Sequence, residues 1–359
     1  MKKVFTSCMI LCACLLIQFP VLGQDAVTIE TITLPDLPAY TMKLSPNGDI
    51  LAVFVGSEAQ ALLGIATLEY TIEPALLPIQ LLDPITGEKF NRLAGGTDYI
   101  RDVAFTSTGD ILASYHLNGD IILWDTETGD EIRTIKMLAH GDGLEFMADD
   151  QTLLVSVYQA PHVFLVVDSE SGAITRLIQD PYDSLGELGL MDQENRWDYQ
   201  YIAWALSPTD DLLVTASANG EVKLWDMESL NQTTLAPNAD DFGRFSIRLL
   251  EFSDDGSTLV YYDMEDEQTH FWNIVDQEEI RAIPAGDRKF AFDTDMGRLA
   301  WATFRDVWIV NIDQPDNPIQ ILEFDADFRS IVSVTFTPDD KHLIVGGFGA
   351  EGLDGGKVV

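Results

Sequence analysis

The side chains of this chain best suited to chemistry are carboxylates with a few aromatics set among them. Asp263, Glu265, Asp266 and Glu267 crowd into five positions. A second segment sets Tyr182 and Trp197 among Asp183, Glu187, Asp192, Glu194 and Asp198. Carboxylates at this density attract a basic peptide segment or a divalent cation, and Ca2+ is the ion best matched to oxygen ligands. A tyrosine and a tryptophan on a loop can stack on a sugar or clamp a peptide. Each feature also has a plainer reading: the carboxylates as solvated surface charge, and Trp197 as a buried core residue. No stretch has EF-hand spacing, since Asp293-Thr294-Asp295-Met296-Gly297 reads as a turn. No resident cofactor is therefore expected, with Ca2+ the one weak candidate.

Other catalytic constellations are missing. Gly347-Phe348-Gly349-Ala350-Glu351-Gly352 has the spacing of a dinucleotide fingerprint but opens no helix, so the glycines have no phosphate to cradle. Gly355-Gly356-Lys357-Val358 lacks the first glycine and the hydroxyl of a phosphate-binding loop. His116, His140, His162, His270 and His342 stand singly, without metal-ligand spacing. No Gly-x-Ser-x-Gly elbow occurs. Acidic pairs are too numerous for one to be singled out for acid–base work. The chain thus reads as a non-enzymatic binding protein, and a hydrolase or lyase acting on a glycan is the alternative.

Composition narrows the partner. The formal charge is −38, and it approaches −40 once two leader lysines are discounted, leaving 19 basic against 59 acidic residues. Such a field repels nucleic acid and anionic membrane surfaces. A protein or peptide with basic residues is the partner that fits. The leader is residues 1–23: Lys2 and Lys3, an apolar run from Val4 to Ile17, then Val21 and Gly23 ahead of a cut at Gln24. Gln18 and Pro20 interrupt that run, making it short for a membrane span. Export to the periplasm or medium follows, with no membrane insertion after cleavage. Leu11-Cys12-Ala13-Cys14 offers a competing lipoprotein anchor at Cys14. All three cysteines lie in the leader, so the processed chain has neither disulfides nor thiolate ligands.

These residues must be positioned by a repeat. From Ile100 to Ile135 the order is strand, Thr106-Ser107-Thr108-Gly109-Asp110 turn, strand, Asn118-Gly119 turn, a strand ending Ile122-Leu123-Trp124-Asp125, Thr126-Glu127-Thr128-Gly129 turn, strand. Short alternating apolar runs bounded by such turns predict an antiparallel meander. The first turn recurs at Ser45, Met147, Ser207, Ser253, Asp293 and Thr337. The third-strand ending recurs as Leu82-Asp83, Val167-Asp168, Leu224-Trp225-Asp226, Phe271-Trp272-Asn273 and Val310-Asn311. The uninterrupted spacing of about 40–46 residues is that of propeller blades.

Two stretches resemble the WD-repeat family. Leu93 to Ile100 followed by Val103-Ala104-Phe105 resembles its opening, with Gly96 where histidine is usual. Ala216 to Asp226 resembles its third-strand signature. The Trp-Asp pair survives as Trp124-Asp125 and Trp225-Asp226, with Trp272 a partial third. The family's buried histidine–hydroxyl–aspartate–tryptophan network then looks largely lost, so packing alone is expected to hold most blades. A quinoprotein-type propeller, whose repeats also end in Asp-x-x-Thr-Gly, is the weaker resemblance.

The resemblance implies an all-β, seven-bladed propeller of four-stranded antiparallel blades over 24–359, closed by pairing an N-terminal strand into the last blade. The expected blades are 39–94, 99–136, 141–178, 199–235, 245–283, 287–322, and 330–359 joined by 27–34. Closure sets Ile29-Glu30-Thr31-Ile32 beside Lys357 to Val359, hiding two open edges. Insertions at 56–78, 179–198 and 348–355 fall on one face with the acidic loops, and irregular loops on a rigid frame are where binding residues gather. The expected function is a scaffold presenting that acidic face, through Tyr182, Trp197, Asp263, Glu265, Asp266 and Glu267.

Overall fold

A computed structural model describes residues 12–18, 28–34, 41–54, 78–96, 98–137, 141–157, 163–179, 201–217, 220–236, 247–284, 286, 289–303, 305–323 and 328–349. Every regular element among them is a β-strand, and no helix among them is long and apolar enough to cross a membrane.

Short apolar runs separated by turn residues fold as meanders because each strand finds its partner only a turn away. Six blades result, over 41–93, 100–136, 141–179, 201–236, 247–283 and 290–323, each of four antiparallel strands in sequence order. The second and third strands of blade two, Ile111–His116 and Asp120–Asp125, are buried along almost their whole length. They lack the usual polar face because blades pack on both sides. Phe54, Leu81, Phe105 and Trp124 fill the space between blades one and two. Tyr115, Leu144 and Val155 fill that between two and three. Fourth strands face outward and alternate less strictly, leaving Ile132, Ile174 and Ile280 exposed.

The expected count of seven blades is corrected to six, because the last strands do not complete a blade of the same kind. Phe328–Phe336 and His342–Gly349 instead join a composite sheet with both N-terminal strands. Cys12–Gln18 pairs with His342–Gly349, Leu15 opposite Val345, and on its other side with Thr28–Leu34, Leu15 opposite Thr31. The expected pairing of 29–32 with 357–359 is corrected with it. Thr28–Leu34 does take the outermost place, but its neighbour is Cys12–Gln18, and residues 356–359 lie outside the described residues. The physical reason is the edge of His342–Gly349, whose row of unpaired amides and carbonyls takes up an extended segment of matching length. The composite sheet packs against blade six through Ile331, Val334 and Leu343. Its strand Phe328–Phe336 also approaches Thr41–Leu44 of blade one.

The first turns lock neighbouring sheets together on one face. Asn47 Nδ2 donates to Thr108 O at 2.6 Å and Ser107 N to Asp150 Oδ1 at 2.7 Å. Thr294 N donates to Asp340 Oδ1 at 2.9 Å, tying blade six to the composite sheet.

Candidate functional site

The Trp-Asp residues serve the frame. Trp124 is buried, and its Nε1 donates to Ser114 Oγ at 2.8 Å. Ser114 Oγ lies 2.9 Å from His116 Nε2, and His116 Nδ1 lies 2.9 Å from the carbonyl of Asp98. A carbonyl only accepts, so Nδ1 carries the proton, Nε2 is bare, and Ser114 donates to it. Burial holds the His116 imidazole below its ordinary pKa, keeping this neutral tautomer. In blade two the network is not lost: His116 supplies the imidazole from the second strand. Gly96 makes room for it, since a Cβ there would lie 2.7 Å from His116 Cε1. Trp225 donates to Thr215 Oγ1 at 2.9 Å and Trp272 to Tyr261 OH at 3.3 Å, so blades four and five are pinned similarly.

Asp125 and Asp226 close the turns to the fourth strands. Asp125 Oδ1 accepts from Thr128 N at 2.8 Å and Asp226 Oδ1 from Ser229 N at 2.7 Å. These bonds hold both carboxyls below their usual range. The turns need a left-handed residue four positions after the aspartate. Gly129 (φ 78°) and Gly172 (φ 73°) supply it, but in blade four Leu230 is forced to φ 58°.

Asp263, Glu265, Asp266 and Glu267 come together on the turn joining the second and third strands of blade five, Thr258–Asp263 and Gln268–Asn273. Antiparallel strands put this turn on the face opposite the interlocked first turns. Asp263 Oδ1 accepts from Glu265 N at 2.8 Å and Asp266 Oδ1 from Gln268 N at 3.0 Å, while Glu267 adopts φ 58°. The turn is thereby fixed with Glu265, Asp266 and Glu267 exposed and Asp263 half-buried. Tyr182 and Trp197 lie outside the described residues, as does most of each expected insertion; of the third, Phe348 and Gly349 continue the strand His342–Gly349.

One charged cluster escaped sequence reasoning. Lys43 Nζ lies 3.3 Å from Glu145 Oε2, bridging the first strands of blades one and three. Such a bridge passes the inner edge of blade two, so both side chains point into the space where first strands converge. Asp102, on that inner edge, accepts from Leu144 N at 3.1 Å. Burial pushes the Asp102 carboxyl up to about 6, with Lys43 opposing the rise. Burial pushes Glu251, on the first strand of blade five, up to about 8, helped by Asp254 and opposed by Lys43. Glu145 and its neighbours raise Lys43, more than offsetting its own desolvation. The signal was present in the repeat. Lys43, Glu145 and Glu251 each stand two residues before a first turn, where Ala104 and Ala205 stand in other blades.

Four-stranded antiparallel blades, packed face to face and pinned by buried indole–hydroxyl bonds, define a β-propeller. Comparison then finds WD-repeat similarity in two stretches of the chain. Residues 87–125 and 200–226 match the family described as WD domain, G-beta repeat. Among solved structures, the chain is similar to the β-propeller domain of Cps50 (Swd1) from Myceliophteria thermophila, with a TM-score of 0.61 at 12% identity. That likeness covers 86% of this chain and 96% of the other. No curated protein matches.

Proposed function

We propose that this chain is an exported, non-enzymatic scaffold whose second-turn face takes a protein or peptide partner with basic residues. WD-repeat propellers bind proteins as a class, which supports the coarser part of this reading. The observation that carries the finer part is the blade-five turn. It fixes three exposed carboxylates and one half-buried carboxylate on a rigid frame, so binding loses little loop entropy. The overall charge of −38 steers a basic partner toward the molecule without choosing a face, so the test must separate the local patch from the global field.

Binding of a ten-residue lysine–arginine peptide would be measured for the wild type and for the variant Asp263→Asn, Glu265→Gln, Asp266→Asn, Glu267→Gln. The control variant neutralises Glu127, Glu170 and Glu228, exposed on turns of the opposite face, and Glu278, exposed where the fourth strand of blade five begins. The blade-five variant weakens binding at least tenfold and the control much less. Equal losses would reduce the effect to net charge and remove the acidic face from the reading. Export is tested by N-terminal sequencing of the protein recovered outside the cytoplasm: Gln24 as first residue supports the leader and means that cleavage removes Cys12–Gln18 from the composite sheet, whereas a retained Cys12–Gln18 strand refutes the leader.

A further inference from the structure

We infer that Asp263, Asp266 and His270 of blade five form a binding site for a late first-row divalent cation of the Zn2+ type. Their ligand atoms all lie within 4.8 Å of one another, spanning a turn and the strand that follows it. Metal bonds of roughly 2 Å to nitrogen and oxygen bring three such atoms around one ion after small rotations of the Asp263 and Asp266 carboxylates. The imidazole is what separates this site from an ordinary acidic turn. His270 sits on the third strand with its ring stacked on Tyr261, centroids 4.8 Å apart and planes 13° apart. Tyr261 is itself held by Trp272 Nε1, which donates to its hydroxyl at 3.3 Å. The ring plane is therefore set by packing.

The ring's two nitrogens are divided between different carboxylates. Nδ1 lies 3.2 Å from Glu279 Oε1 on the fourth strand, and Nε2 lies 3.0 Å from Asp266 Oδ2 on the turn. A proton held on Nδ1 by Glu279 leaves Nε2 as the lone-pair donor, directed at the turn carboxylates. Carboxylate–histidine–metal relays have this arrangement, and the outer carboxylate fixes the tautomer and strengthens the ligand. The metal takes the place of the second proton that a doubly paired imidazolium would carry. One nitrogen and two carboxylates suit Zn2+, Co2+ or Ni2+, whereas Ca2+ prefers six or more oxygens.

The experiment is calorimetric titration of the chelator-treated full chain with Zn2+ and with Ca2+ at pH 7.5, repeated in three single variants. The expected result is one saturable Zn2+ equivalent that His270→Gln and Asp266→Asn each abolish or weaken at least a hundredfold. Glu279→Gln, which touches no metal, weakens it ten- to a hundredfold. Co2+ substitution adds a visible d–d band that disappears in His270→Gln. Melting in EDTA reports whether each variant folds, and Asp266→Asn on the exposed turn serves if His270→Gln does not. Absence of saturable Zn2+ binding would overturn the site, as would Zn2+ binding unchanged by both first-named variants or preference for Ca2+. The inference stands apart from the scaffold reading, because His270→Gln leaves all four turn carboxylates in place for a basic partner.

Discussion

Glu251→Gln should stabilise this protein, and only above a definite pH. Burial beside Asp254 raises the Glu251 carboxyl from 4.5 to about 8 in the folded chain, so it is held neutral there at neutral pH. The unfolded chain ionises it near its ordinary value. Folding is therefore undisturbed by this group below about pH 4.5. Its favourable contribution is lost progressively as pH rises to about 8, where the buried carboxylate finally ionises. A rise of that size corresponds to about 5 kcal/mol at full strength. Water reaches the cluster, since Lys43 and Glu145 beside it stay 38% and 39% exposed. Screening of this kind reduces the expected effect to about 2–3 kcal/mol. Glutamine keeps the shape and stays neutral, so it escapes the penalty. Urea unfolding of both proteins from pH 5 to 9 measures it, and subtracting the two curves cancels the self-repulsion of the other carboxylates. The difference starts near zero at pH 5 and grows to about 2–3 kcal/mol in favour of the variant by pH 9. A difference flat across the range, or a variant less stable at pH 9, would refute the placement of Glu251 in a partly buried, acid-rich space.

The remaining expectations concern the frame. Gly96→Ala drives a Cβ to 2.7 Å from His116 Cε1 and should cost about 1–3 kcal/mol by urea unfolding, much of it recovered when His116→Ala is added. The depressed His116 pKa makes wild-type stability fall as pH drops below about 6.5, because the unfolded imidazole takes its proton first; His116→Gln should flatten that limb. Leu230→Gly relieves a left-handed leucine and should raise stability by about 1 kcal/mol, read as a higher melting temperature. Gly141→Ala would set a Cβ 2.2 Å from the backbone oxygen of Ser156 and should cost about 3 kcal/mol or more, or prevent folding.

Much of this architecture is legible in the chain because blade formation is local. Each strand pairs with the next across a turn whose residues are chosen for that turn: Asn118-Gly119, Thr128-Gly129, Asp226 with Ser229. The acidic turn of blade five is legible for the same reason, since Asp263 to Glu267 are neighbours in sequence before they are neighbours in space. Neither His116 nor the Lys43–Glu145 bridge was found this way. His116 replaces a side chain that would ordinarily come from position 96, so only the fold reveals that it fills the same space. Lys43 and Glu145 are 102 residues apart and meet only because a ring brings first strands to a common centre.

Alternation, turn chemistry and a spacing near one blade length are enough to determine the meanders, the apolar faces and the family resemblance. Only the tertiary structure decided how many blades those meanders complete and what lies beside the last of them. The reason is that an open strand edge is satisfied by any extended segment able to reach it, a property no local pattern encodes. Six blades of consecutive strands follow from short-range pairing. The sheet that joins both ends follows from where the edge of His342–Gly349 comes to lie in space, with Cys12–Gln18 alongside it.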